Sequence, residues 1–217
     1  SFPNTGFQGE YTAQVIKELD NRKFEVEEQR INTALHYGSN FFQRVNAWLA
    51  YILEGTTIVT YIDERTYTAR IEVTNTFGKA TFPTNTGFGI SYALPIIVTC
   101  LLAEKDRWVI IENPEAHLHP AAQSKIGYFL AKMANAGLRI VVETHSDHII
   151  NGIQLAVAKK EIESSRITIN YFDKGTLQPE VHPISMNEKG ELSAWPKGFF
   201  DQTQIDFAEL IKLRRNV

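Results

Sequence analysis

Two short apolar runs, residues 108–111 and 138–142, constrain the fold of this chain more than any other feature of its sequence. Runs that are apolar at consecutive positions are typical of central strands in a parallel sheet, where both faces of each strand are covered. Between the runs, Pro120 fits the first turn of a helix and Gly137 fits the position just past its end. The sequence therefore predicts a βαβ unit with a right-handed crossover.

Polar side chains follow both predicted strands. Glu112 comes directly after the first run, and the second run is followed by Glu143, Thr144 and His145. Because functional residues of open parallel sheets gather at the carboxyl ends of the strands, we expect Glu112 and His145 to lie on one edge of the sheet.

The flanking regions predict smaller elements. Apolar residues at helical spacing predict a helix over 41–53, and alternating β-branched residues predict a hairpin over 56–73. A second helix follows the βαβ unit, with Ser146 or Asp147 as its cap. We predict an α/β fold with a mostly parallel sheet flanked by helices, divided into a helix and β-hairpin support region at 1–83, a core at 84–172 and a small C-terminal hairpin and helix domain at 173–217.

Composition is that of an ordinary globular protein. Of the 217 residues 43% are hydrophobic, and 22 Lys and Arg stand against 25 Asp and Glu, for a net charge of −3. This balance gives no general basic surface for nucleic acid. The single cysteine, Cys100, can form no internal disulfide, and the longest apolar run, at 90–103, is too short to span a bilayer. We therefore expect a cytoplasmic protein that makes no membrane contact.

Three stretches carry most of the candidate chemistry: Asn-Thr-Gly-Phe-Gly-Ile-Ser-Tyr at 85–92, Ile-Ile-Glu-Asn-Pro-Glu-Ala-His-Leu-His-Pro at 110–120 and Val-Glu-Thr-His-Ser-Asp-His at 142–148. Their order and spacing resemble the ABC-class ATPases, which include SMC-type DNA-repair proteins. The sequence is most similar to a bacterial subgroup of AAA-like ATPases that ends in a small domain of unknown function with Trp-Pro-x-Gly-Phe-Phe-Asp, as at 195–201 here. This resemblance covers nearly the whole chain and implies an ABC-ATPase-like sheet.

The resemblance implies a role for each residue that follows the first strand. Glu112 stands at the Walker B position, where a carboxylate holds Mg²⁺, usually through water. The next family residue is commonly the glutamate that activates water, and here it is Asn113, whose amide can hold a water but cannot take a proton at neutral pH. Either turnover is slow, or Glu115 serves as the base. Asn113 and Pro114 also fit a simple turn.

The other two stretches have implied roles in binding nucleotide. His145 stands at the switch position, where an imidazole contacts the γ-phosphate. Gly87, Gly89 and Ser91 fall where the signature loop presents a hydroxyl and N–H groups to the γ-phosphate of a partner's nucleotide. His119 falls at the dimer seam. The resemblance thus implies a homodimer that encloses ATP and Mg²⁺. Simpler interpretations remain: His145 as a histidine beside the core, residues 87–91 as a glycine-rich turn, and His119 as a helix cap.

The phosphate-binding P-loop is missing from these residues. The pattern Gly-x-x-x-x-Gly-Lys-Ser/Thr, which cradles the α- and β-phosphates, occurs nowhere in the 217 residues. Since the loop precedes all three stretches in the ATPase family, the resemblance implies that the chain is the C-terminal part of a longer ATPase. We expect the chain alone to bind ATP weakly and to hydrolyse none. By the same resemblance, the complete protein would act in DNA repair or antiphage defence with a nuclease partner.

Two other functions stay open. Four histidines lie near Glu112 and Glu115 and could supply zinc or manganese ligands to a metal-dependent hydrolase. Alternatively, Trp195, Phe199 and Phe200 could form the docking surface of a non-catalytic interaction module, although large aromatic side chains usually pack into cores. The four histidines are His117, His119, His145 and His148.

Overall fold

The computed structural model describes residues 4–6, 9–21, 30, 40–63, 65–66, 68–74, 80–81, 89–174 and 178–215. The chain divides into two compact units, Ser1–Ile153 and Gln154–Val217. Helices α1 to α6 span Thr12–Asn21, Phe41–Ile52, Gly89–Leu102, Pro120–Asn135, Asp147–Ala158 and Gln202–Arg215. Strands β1 to β7 span Thr57–Asp63, Thr68–Thr74, Ala80–Thr81, Trp108–Glu112, Arg139–Glu143, Ile169–Asp173 and Glu180–Ile184. The predicted α/β class is confirmed.

The predicted βαβ unit consists of β4, α4 and β5. Strands β4 and β5 pair in parallel, and Glu112 lies opposite Glu143 at their carboxyl ends. Helix α4 begins at Pro120, which needs no N–H partner in a first turn. The chain leaves the helix through Gly137, whose φ of 104° lies in the region that glycine tolerates best. The helix bounds therefore match the proline and glycine signals in the sequence.

Parallel pairing is confined, within the described ranges, to β4 and β5. Strands β1, β2 and β3 form an antiparallel sheet, and β6 and β7 form an antiparallel hairpin. One face of the parallel pair is covered, since Val109 and Ile111 are buried. The other face is open, with Trp108, Ile110 and Val141 exposed by 64%, 72% and 44%. Among the described residues, the helices cover only the face that carries Val109 and Ile111.

The core of the first unit forms around α2, α3 and α4. The predicted helix over 41–53 is α2, and the predicted hairpin over 56–73 is the β1–β2 pair. The rings of Trp48 and Phe129 meet edge to face with centroids 4.8 Å apart. Asn46 joins helix to sheet, because its amide accepts from the N–H of Ile58 at 2.7 Å and donates to that residue's carbonyl at 3.2 Å.

Helix α3 ends on a buried guanidinium. The Nη1 group of Arg30 donates to the carbonyls of Cys100, at 3.3 Å, and Ala103 in the last turn. A cation there satisfies the free carbonyls and complements the helix dipole. Cys100 is fully buried in this region, and burial raises the pKa of its thiol to about 12 although the charge of Arg30 acts to lower it. No helix in the described part of the chain is long and apolar enough to cross a membrane.

Helices α4 and α5 approach each other through two glycines. A Cβ added at Gly152 would lie 1.9 Å from the carbonyl oxygen of Ser124, and one added at Gly127 would lie 2.1 Å from that of Ile149. Both obstacles are backbone atoms, which cannot rotate away as a side chain could. Glycine at these two positions therefore lets the helix that follows β5 pack directly on the helix that precedes it.

The second unit is organised around an aromatic cluster. Phe199 is buried, and its ring lies edge to face against Trp195 at 5.0 Å and against Tyr171 of β6 at 5.4 Å. Phe199 therefore packs inside the unit, as the core interpretation of these aromatics expects. The large apolar residues of α6 are instead exposed: Ile205, Phe207, Leu210, Ile211 and Leu213.

We predict that Gly152→Ala lowers the free energy of unfolding by about 1–3 kcal/mol, since its methyl group must displace backbone. Urea unfolding of the 217-residue chain measures this loss. The matched control is Asn151→Ala, because Asn151 is an exposed neighbour in the same helix. This control should equal or slightly exceed the wild-type stability, since alanine favours helix. Equal midpoints for Gly152→Ala and the wild type would contradict the close approach of α4 and α5.

We also predict that Cys100 resists alkylation by iodoacetamide at pH 8 in the folded chain and reacts readily in urea. Both its burial and its raised pKa reduce the fraction of accessible thiolate. Mass spectrometry of the alkylated chain measures the difference. Equally fast labelling with and without urea would show that the end of α3 opens to solvent.

Candidate functional site

The parallel pairing of β4 and β5 brings the two main candidate residues to one sheet edge. Glu112 is the last residue of β4, and its partner Glu143 is the last residue of β5, two positions before His145. The ladder continues past the strands, because the N–H of Asn113 donates to the carbonyl of Glu143 at 3.0 Å. Glu112 and His145 therefore emerge at the same rim, and the roles assigned to them stay predictions.

The loop from β4 to α4 turns sharply. Asn113 has a φ of 47° and His117 a φ of 58°. Both lie in the left-handed region, which few residues other than Gly, Asn, Asp and His adopt. The N–H of Ala116 donates to the carbonyl of Asn113 at 3.0 Å, so this residue does begin a turn. Its side chain remains exposed at the rim. The turn and an exposed amide beside Glu112 are thus both present.

The carboxylate of Glu115 joins this loop to the loop that follows β5. Its Oε2 accepts from the hydroxyl of Thr144 at 2.7 Å, and its Oε1 accepts from the backbone N–H of His145 at 2.8 Å. The Thr144 hydroxyl also accepts from the N–H of Ser146 at 3.1 Å. Glu115 therefore bonds to residues 29 and 30 positions later in the sequence and fixes the backbone that carries His145.

The side chain of His145 lies at the surface. It is 81% exposed, and its Nε2 is 2.9 Å from Oε1 of Glu143, which is itself 51% exposed. Such an exposed contact is screened by water and orients the ring only weakly. The imidazole is therefore accessible to a ligand that approaches the rim, while its backbone is held by Glu115.

A second chain of hydrogen bonds links the two loops through α4. The buried hydroxyl of Ser146 donates to Oε1 of Gln123 at 2.6 Å, and Nε2 of Gln123 donates to the carbonyl of Leu118 at 2.8 Å. The same hydroxyl accepts from the N–H of His148 at 3.1 Å. Ser146 rather than Asp147 is therefore the residue that caps α5.

The other candidate binding residues lie at two helix starts. Gly87 lies outside the described residues, Gly89 is the first residue of α3, and Ser91 is exposed in its first turn. A Cβ on Gly89 would lie 3.1 Å from the carbonyl oxygen of His117, so the start of α3 abuts the loop after β4. His119 caps α4, with its Nδ1 3.4 Å from the N–H of Ala121. The simpler cap interpretation thus accounts for the contact that His119 makes.

Oxygen ligands at the rim fit a hard cation better than a zinc site. The carboxylate of Glu112 is exposed and has no hydrogen-bond partner among the described residues. Mg²⁺ commonly keeps several waters and takes only one or two protein carboxylates, so one free glutamate fits it. In the described ranges no three His, Cys, Asp or Glu residues are grouped so as to hold a metal. The histidine-rich hydrolase therefore gains no support from the geometry.

Sequence patterns missed three residues of this network. Glu143, Thr144 and Gln123 touch or orient the candidate residues, although none was a candidate itself. The register of the βαβ unit could have identified Glu143, since strand ends that pair in parallel meet at one edge. Gln123 carries no local signal, because its partners are fixed only by the packing of α4.

Comparisons with known families cover most of the chain. Residues 7–151 match the family described as "AAA domain, putative AbiEii toxin, Type IV TA system". Residues 162–210 match a family described as "Protein of unknown function (DUF3696)". A search of curated proteins gave no significant match.

Several solved structures resemble this chain in fold at low sequence identity. A structure from work on ATP-driven dimerization and DNA-stimulated activation of SMC ATPases has 10% identity and a TM-score of 0.50, covering 66% of this chain and 83% of that one. An SMC head bound to the C-winged helix domain of ScpA has 10% identity and a TM-score of 0.48, covering 65% and 41%. A Pyrococcus furiosus head bound to ScpA has 10% identity and a TM-score of 0.48, covering 79% and 37%. The first likeness supports an ABC-ATPase-like α/β fold.

We predict that Ser146→Ala lowers the free energy of unfolding by about 1–2 kcal/mol, because it removes the cap of α5 and leaves Oε1 of Gln123 without its donor. Thermal unfolding of the chain measures the loss. Asp147→Asn is the matched control, since it changes only a charge in the first turn, and it should cost less than half as much. A larger loss for Asp147→Asn would show that Asp147 supports the helix start.

Proposed function

This chain belongs to the family described as "AAA domain, putative AbiEii toxin, Type IV TA system", and we propose that it forms the hydrolytic half of an ABC/SMC-like ATPase site. The observation that carries the proposal is the shared rim of β4 and β5, where Glu112 and His145 follow paired parallel strands. A triphosphate that lies across these strand ends would meet a carboxylate and an imidazole together, as the sequence resemblance implies.

Each residue of the rim has a proposed task. Glu112 would hold Mg²⁺ through water, because its exposed carboxylate lies at the end of β4. Asn113 would orient the attacking water by hydrogen bonds, and because its amide cannot take a proton at neutral pH, the proton of that water would pass to an oxygen of the γ-phosphate that leaves as inorganic phosphate. His145 donates to a γ-phosphate oxygen from its accessible ring. Magnesium-bound ATP supplies the phosphoryl group whose charge these residues stabilise.

The open sheet face supports a further part of the proposal. Trp108, Ile110 and Val141 are exposed on the face that also carries Glu112 and Glu143 at its edge. Since parallel sheets are normally covered on both faces, we propose that a further segment with a P-loop packs here. That segment would supply the phosphate cradle that residues 1–217 lack.

We propose that two copies of the protein form a dimeric site, with the start of α3 facing the nucleotide of the second copy. Gly89 and Ser91, together with Gly87, would present N–H and hydroxyl groups to the nucleotide of a second copy, and His119 would lie at the seam. The SMC ATPases with the TM-score of 0.50 are described by their ATP-driven dimerization. The dimer would then close when ATP binds and open after hydrolysis, and this movement would be its function.

We propose that this cycle drives a partner protein in the cell. The family description names a putative AbiEii toxin of a type IV TA system, and the sequence resemblance implies DNA repair or antiphage defence. A nuclease partner would provide the effector activity in either process. The net charge of −3 gives no support to direct binding of nucleic acid. We propose a cytoplasmic location, because the one cysteine is unpaired and buried.

We predict that the purified 217-residue chain hydrolyses no ATP, whereas the protein that joins it to its P-loop segment does. In that protein Glu112→Gln should lower the hydrolysis rate at least about 100-fold, since it removes the charge that holds Mg²⁺. Release of inorganic phosphate measures both rates. The control is Glu104→Gln, since the exposed carboxylate of Glu104 accepts from Arg107 at the surface.

Two results would contradict this proposal. One is hydrolysis by the 217-residue chain alone that depends on Glu112. The other is equal hydrolysis by Glu112→Gln, Glu104→Gln and the wild type in the P-loop-bearing protein.

A further inference from the structure

We propose that Glu115 is a positioning residue that locks the loop of His145 onto the loop after β4, and not a base. The role of this lock in catalysis rests on the function proposed above. The lock itself is a property of the folded chain, so it can be tested without any nucleotide.

Both oxygens of the Glu115 carboxylate are used by the second loop. The hydroxyl of Thr144 donates to one at 2.7 Å, and the N–H of His145 donates to the other at 2.8 Å. Hydrogen bonds to a charged acceptor are stronger than those between neutral groups. Two such bonds from adjacent residues fix both the position and the direction of the chain that they hold.

The surrounding bonds leave Thr144 little freedom to point elsewhere. Its hydroxyl oxygen accepts from the N–H of Ser146 at 3.1 Å, so its one proton is directed to Glu115. Ser146 is in turn bonded to Gln123 at 2.6 Å. Residues 144–146 are therefore held against the loop that carries Asn113 in two ways. Glu115 bonds to them directly, and Gln123 bonds both to Ser146 and to the carbonyl of Leu118. A displacement of either loop must break this network or move both loops together.

Such a lock suits a site in which two loops contact different parts of one ligand. Asn113 and His145 stand on different loops, and the reaction proposed above needs their separation to stay fixed. Glu115 accepts from the backbone N–H of His145, while the ring of His145 contacts the exposed carboxylate of Glu143. The imidazole of His145 can thus rotate toward a ligand while the backbone of His145 keeps its distance from Asn113.

The two roles of Glu115 predict different effects of Glu115→Gln. A base needs a carboxylate, which an amide cannot replace. A positioning acceptor tolerates the amide, because Oε1 can still accept from the N–H of His145 while Nε2 donates to the Thr144 hydroxyl. Glu115→Ala removes both bonds under either role.

The test is amide exchange of His145 in the ¹⁵N-labelled 217-residue chain, measured by NMR without nucleotide. We expect Glu115→Ala to speed this exchange at least about tenfold, and Glu115→Gln and the Glu104→Gln control to stay within about threefold of the wild type. Thr144→Val, which removes one hydroxyl at nearly constant volume, should give an intermediate increase and replaces Glu115→Ala if that variant does not fold.

Unchanged exchange in both Glu115→Ala and Thr144→Val would overturn the lock, whatever the nucleotide data show. In the P-loop-bearing protein, ATP hydrolysis by Glu115→Gln should stay within about fivefold of the wild type, while Glu115→Ala loses at least about 50-fold. Equal losses in the two variants would overturn the positioning role in favour of a base. Because the exchange measurement needs no ATP, failure of the ATPase proposal alone leaves it interpretable.

Discussion

Hydrogen bonding between β4 and β5 is the interaction on which the candidate site depends. Each strand has its acidic end residue opposite the other, and the ladder runs one residue further through the N–H of Asn113. A slip by one residue would turn every side chain of one strand to the opposite face. Glu112 would then point into the core, away from the edge that carries His145. The register of five residue pairs thus decides whether a site exists.

The packing around this pair maintains the register from one side. Val109 and Ile111 are buried in the core of the first unit, and the glycines of α4 and α5 let the two flanking helices pack at backbone distance. Beyond the carboxyl ends of the strands, hydrogen bonds of Glu115 and Gln123 connect the two loops. The other side, with Trp108 and its apolar neighbours, is open to solvent. Among the described residues, the same pair of strands is therefore covered on one face and exposed on the other.

The sequence predicted the parts of this arrangement that depend on local periodicity. Pro120 and Gly137 bound α4 as expected, and two apolar runs became paired strands, because these signals act over a few residues. The open face was not predicted, since Ile110 looks the same in sequence whether or not another segment covers it. The contact of Glu115 with the His145 backbone was missed as well, because it joins residues 30 positions apart through loop geometry. Gly87 lies outside the described residues, so that prediction stays as it was.

Paramagnetic broadening by Mn²⁺, used in place of Mg²⁺ with ATP, tests the shared nucleotide rim most directly. In the ¹⁵N-labelled protein that includes the proposed P-loop segment, we predict that Mn²⁺ and ATP together broaden the resonances of both Asn113 and His145, and that Glu112→Gln removes the effect. Broadening that spares His145, or that persists in Glu112→Gln, would contradict the claim that these residues face one metal–triphosphate complex.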